Sequence, residues 1–179
     1  LNMSKPRTEI QGFFKTAIVA CTFSRDGSMI AAVGADPDHS IALYKWQTGT
    51  LVASSRGSQE KIVCIKWSPF QDYIVTLGVK HCKFWSLEPF RSKRAEFTKG
   101  GRLQTMLCCC FPGPDNTVVG TQDGSLYLFK GFQLSLVIPE AHEVTQALSA
   151  TRDVVVSAGK EGMIKFWAID LSQCLKEVA

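Results

Sequence analysis

Four stretches of this chain end alike, at nearly constant intervals. The runs IALYKW (41–46), KFW (83–85), SLYLF (125–129) and MIKFW (163–167) each close on an aromatic residue. Those residues, Trp46, Trp85, Phe129 and Trp167, are spaced by 39, 44 and 38 residues. A repeat of that length is one supersecondary unit, and roughly 40–45 residues suits four short strands far better than a helical pair.

The interior of each unit repeats as well. A first apolar run occupies 18–23, 62–67, 106–111 and 144–148. Turn residues follow, as in Ser24-Arg25-Asp26-Gly27 and Pro112-Gly113-Pro114-Asp115-Asn116, where Gly, Pro, Asp and Asn supply the backbone angles of a reversal. A second apolar run ends near Gly34, Gly78, Gly120 or Gly159, and a tight connector such as Gln122-Asp123-Gly124 leads into the aromatic-ended strand. More exposed fourth strands are expected at 50–54 and 133–138. Val144, Ala147, Leu148 and Thr151 also have helical spacing, but register with the sister units favours a strand there. The C-terminal segment around Leu171, Leu175 and Val178 reads equally as an outer strand or a short helix.

Consecutive apolar residues such as Val154-Val155-Val156 need cover on both faces, and sheets stacked radially provide it. The expectation is an all-β propeller of about four four-stranded antiparallel blades, at roughly 13–55, 56–101, 102–138 and 139–179. Four blades alone leave two faces bare unless they close a small ring, so the chain is expected to be part of a larger propeller.

Composition excludes several classes. With 45% hydrophobic and 20% charged residues, the chain is not a disordered one. A net charge of +4 permits an acidic partner without requiring nucleic acid. The longest charge-free stretch, 103–114, is too short for a spanning helix, and no secretory signal is visible. The seven cysteines read as buried free thiols in a reducing compartment; three in a row at 108–110 alternate faces and cannot converge on a metal.

At these motifs the chain resembles the WD-repeat family. The last unit carries the fullest signature: Ala141-His142, Ser157-Ala158-Gly159 and Phe166-Trp167. The resemblance implies a buried hydrogen-bond chain of His142, Ser157, Glu161 and Trp167, with Glu in place of the usual Asp; the other units lack the matching His and read as degenerate. DPDHSIALYKWQTGTLVASS and VCIKWSPFQDYIVTLGVKHCKFWSL, within 36–87, and Pro139-Glu140-Ala141-His142-Glu143 are similar to the echinoderm microtubule-associated protein-like family. That resemblance implies about the first half of a first propeller, tubulin or microtubules as partner, and a cytoplasmic, cytoskeletal location. It also implies a non-enzymatic platform that influences microtubule organisation. The alternative is a general scaffold of a ciliary or ubiquitin-ligase assembly.

No catalytic constellation accompanies His39, His81 or His142, no phosphate-binding loop occurs, and no cofactor, nucleic acid or membrane is expected. The strongest binding candidate is RSKRAEFTKGGR (91–102), where Arg91, Lys93, Arg94, Lys99 and Arg102 face only Glu96. Such a patch steers an acidic partner; otherwise it is a solvated loop. Phe70, in a turn, either docks a partner or tucks between blades. The strand-closing aromatics are expected in the core.

Overall fold

The computed structural model describes residues 8–98 and 100–179. They form sixteen strands in four separate antiparallel sheets. Sheet 1 contains β1 (Ile18–Phe23), β2 (Met29–Gly34), β3 (Ile41–Lys45) and β4 (Thr50–Ser55). Sheet 2 contains β5 (Ile62–Trp67), β6 (Tyr73–Gly78), β7 (His81–Leu87) and β8 (Phe90–Arg94). Sheet 3 contains β9 (Met106–Gly113), β10 (Asn116–Thr121), β11 (Leu126–Lys130) and β12 (Gln133–Ile138). Sheet 4 contains β13 (Thr145–Ala150), β14 (Val154–Gly159), β15 (Ile164–Ala168) and β16 (Cys174–Val178). Strands within each sheet follow chain order. The helical spacing at 144–151 is overridden by β13, and the ambiguous C-terminal segment is an outer strand.

Three apolar cores join the four sheets in series. Ala31, Val33 and Leu43 meet Ile65, Trp67 and Trp85 between sheets 1 and 2. Val75 and Phe84 meet Met106, Cys109 and Phe129 between sheets 2 and 3. Leu126 and Leu128 meet Leu148, Val155 and Trp167 between sheets 3 and 4. Central strands of the two inner sheets are covered on both faces, so β6 and β10 are buried nearly throughout, whereas β15 and β16 in the last sheet are largely not. This is the packing of successive propeller blades. At the outer sheets Ile18, Phe23, Ile164 and Leu175 stay exposed. Two cysteines follow the same rule: all seven are free, but Cys21 on β1 and Cys174 on β16 are exposed, contrary to the expectation of buried thiols.

Pairing register corrects the first repeat. Ile18 opposes Gly34 as Ile62 opposes Gly78, Met106 opposes Thr121 and Thr145 opposes Gly159. Four residues before each of those partners, Ile30 faces Tyr44, Ile74 faces Trp85, Thr117 faces Phe129 and Val155 faces Trp167. Tyr44, and not Trp46, is therefore the closing aromatic of the first blade. Trp46 follows the end of β3, is only half-buried, and donates its indole N–H to the Gly27 carbonyl at 2.6 Å, clasping the β1–β2 turn.

Candidate functional site

In blade 4 the chain of side chains from His142 to Trp167 is assembled. The Trp167 indole donates to Ser157 Oγ at 2.8 Å, and Ser157 Oγ lies 2.7 Å from His142 Nε2. The Glu161 carboxylate meets His142 Nδ1 and accepts the Glu143 backbone N–H at 3.2 Å. Partial burial pushes the Glu161 carboxyl up, but hydrogen bonds led by that from His142 outweigh it and hold the group below the usual range. Enclosed donors thus find acceptors, which avoids about 1–3 kcal/mol for each group otherwise left unpaired.

Blade 2 holds a second such chain that the sequence reading missed. The Trp85 indole donates to Thr76 Oγ1 at 2.9 Å, and Thr76 Oγ1 lies 2.8 Å from His81 Nε2. His81 comes from the start of β7 rather than from the turn before the first strand, so it does not align with His142. The signal was present: Thr76-Leu77-Gly78 parallels Ser157-Ala158-Gly159, and a buried Thr facing an indole needs a further partner. Blade 2 has Lys80 two residues past its glycine, where blade 4 has Glu161; in the third blade Asp123 stands two past Thr121, which takes the glycine's place in register. With no imidazole to reach, Asp123 folds back on its own turn, accepting from Thr121 at 2.7 Å and from the Ser125 backbone at 3.2 Å.

The basic run 91–102 is not one patch. β8 alternates its side chains, and cross-strand pairing sets Arg94 opposite Lys83 and Lys93 opposite Phe84. Lys93 lies 4.5 Å above the Phe132 ring of blade 3, and it shares with Arg91 a cleft between blades 2 and 3 that also includes Asp72. Arg94 faces the other way, beside Lys83 and Lys80. Beyond β8 the chain crosses to blade 3: Glu96 and Gln133 form a parallel bridge, and Thr98 donates to the Leu134 carbonyl at 2.8 Å. Arg102 is paired with Asp123 at 3.4 Å. Lys99 lies outside the described residues. Phe70 projects from the β5–β6 turn with 43% of its surface exposed, so it does not tuck between blades.

Arg94, Lys80 and Lys83 share a cleft of about 440 Å³ with His81, Ser58 and Glu60, and Ala95, Phe97 and Leu103 also line it. Among the described residues none of the three cations makes an ion pair. Lys83 is half-buried; its Nζ donates to the Gly57 carbonyl at 2.6 Å and lies 5.7 Å from the Trp85 ring centre. Burial first, and Arg94 second, push its ammonium below the usual range. Burial, with the charges of Lys83, His39 and Arg94, pushes His81 down to about 3, so its ring is neutral.

A family model described as the echinoderm microtubule-associated protein first beta-propeller matches residues 4–179. The chain is 26% identical over 172 residues to the 77 kDa echinoderm microtubule-associated protein of Lytechinus variegatus, covering 90% of this chain and 26% of that protein. It is 30% identical over 166 residues to echinoderm microtubule-associated protein-like 1 of Rattus norvegicus, covering 87% and 20%. A cilia- and flagella-associated protein 44 of Trypanosoma brucei brucei is 24% identical over 199 residues, covering 91% and 11%. The chain thus spans about a quarter or less of the length of these relatives. Among solved structures, U3-55K superposes with a TM-score of 0.77 at 17% identity, covering 93% of this chain and 53% of that one. The computationally designed Ika4 protein superposes at 0.76 with 20% identity, covering 93% and 99%. The two superpositions bear on the fold alone.

Proposed function

Starting from a chain that belongs to the echinoderm microtubule-associated protein family, within its first β-propeller, we propose that it is a non-enzymatic platform that binds tubulin and influences microtubule organisation in the cytoplasm. The observation that carries this reading is the outer strand β8, which presents Arg91, Lys93 and Arg94 to solvent with no carboxylate paired to any of them among the described residues. Rigid blades hold these cations in place, and unpaired surface charge accelerates association with an acidic macromolecule. Phe70 on the rim is an accessory apolar contact.

Co-sedimentation with microtubules at two salt concentrations tests the reading. The protein pellets with microtubules at low salt, less at high salt, and Lys93→Glu/Arg94→Glu weakens pelleting by at least about tenfold. No pelleting at either salt rejects it and leaves a scaffold for another assembly. The similarity to a cilia- and flagella-associated protein is the observation that favours that second reading.

A further inference from the structure

The two polar chains differ at one end. In blade 4 the outer nitrogen of His142 is closed by Glu161. In blade 2 the corresponding nitrogen of His81 has no hydrogen-bond partner among the described residues. Thr76 is fully buried, and its hydroxyl has two partners among the described residues, the Trp85 indole, which can only donate, and His81 Nε2, which is therefore the acceptor left for the hydroxyl proton. That assigns the imidazole proton to Nδ1, a donor. The Trp67 indole is the sole fully enclosed polar side-chain atom without a partner among the described residues. His81 Nδ1, which has no described partner either, therefore keeps contact with solvent although the residue is only 3% exposed. His81 lines the cleft that holds Lys80, Lys83 and Arg94.

Three further features of this cleft ask for an anion. Lys83 and Arg94 are directly opposed cross-strand partners, an arrangement that destabilises a sheet when both carry the same charge. Lys80 holds a left-handed backbone, φ 44°, at a turn position that glycine or asparagine would occupy with less strain. Glu60, the one acidic residue lining the cleft, is exposed and makes no ion pair among the described residues.

We propose that this cleft is a receptor for a carboxylate side chain of an acidic protein segment, which accepts from His81 Nδ1 and completes the His81–Thr76–Trp85 chain as Glu161 completes the one in blade 4. Lys80, Lys83 and Arg94 surround the incoming charge, and Phe97 and Leu103 take an adjacent apolar side chain. The inference sharpens the acidic-partner reading and rests on it for the identity of the partner.

The probe is a blocked tri-glutamate peptide titrated into the full chain, followed by the ring-nitrogen resonances of His81, with the tri-glutamine peptide and inorganic phosphate alongside. The glutamate peptide shifts Nδ1 of His81 and leaves His142 unmoved; the glutamine peptide shifts neither. Lys80→Gln/Lys83→Gln weakens the peptide about tenfold, the scale of a charge-assisted hydrogen bond. An unmoved His81, a peptide affinity indifferent to that variant, or an equal response to phosphate overturns the proposal. Microtubule pelleting separates the two readings: pelleting without a His81 response sinks the receptor alone, and a His81 response without pelleting sinks the tubulin reading alone.

Discussion

Blades 2 and 4 enclose the same indole–hydroxyl–imidazole chain, yet one is sealed from within and the other is open. Blade 4 closes its histidine with an internal carboxylate from its own β14–β15 turn. Blade 2 is packed on both faces, and its histidine opens onto a cleft of unpaired cations.

The largest effect should come from the glycines beside the two chains. A methyl group at Gly78 would overlap the backbone oxygen of Lys61 and crowd Ile62 Cα at 2.8 Å. Backbone of a neighbouring strand cannot step aside, so Gly78→Ala is expected to destabilise by about 3 kcal/mol. At Gly159 the same methyl would meet the Glu161 carboxylate and His142 Nδ1, both on side chains. Gly159→Ala is expected to separate those two groups at about 1–2 kcal/mol and leave the sheet intact. Denaturant unfolding of the two variants measures the difference, and equal losses would erase the distinction between a backbone wall and a side-chain wall.

A smaller effect probes the hydroxyls. Thr76→Val keeps the shape of the side chain but leaves the Trp85 indole and His81 Nε2 without partners, which is expected to cost about 2 kcal/mol. Ser157→Ala does the same to Trp167 and His142, but His142 keeps Glu161 on its other side, so the loss should be nearer 1 kcal/mol. The ranking is read from urea midpoints at unchanged slope. A larger loss for Ser157→Ala would mean that the carboxylate does not steady its histidine.

The repeat length and the two-sided apolar strands were legible in the sequence, because each depends on neighbours in the chain or on register between units, whereas the four residues of the blade 4 chain came from the family resemblance. Glu161 reaches His142 with glutamate in place of the usual aspartate. What escaped depends on pairing across space. Trp46 and Tyr44 are two residues apart and both are aromatic, so only the ladder shows that Tyr44 closes the blade. The run 91–102 looked like one basic patch because charge was counted along the chain. Strand alternation sends Arg94 and Lys93 to opposite faces, and the chain then crosses to blade 3 at Glu96. Lys80 and Lys83 lie outside that run and join Arg94 only through the β7–β8 pairing.

The smallest effect tests whether Lys80 is retained for its charge. A non-glycine residue in the left-handed region costs about 1 kcal/mol, and glycine returns a similar amount through the entropy of the unfolded chain. Lys80→Gly is therefore expected to fall within about 0.5 kcal/mol of the parent, on the stable side because it also removes a cation from beside Lys83 and Arg94. The same substitution in blade 4, Glu161→Gly, removes the acceptor of His142 Nδ1 and should lower the unfolding midpoint. If Lys80→Gly destabilises instead, the lysine has a structural role in its turn, and the contrast between an open and a sealed blade loses its clearest residue.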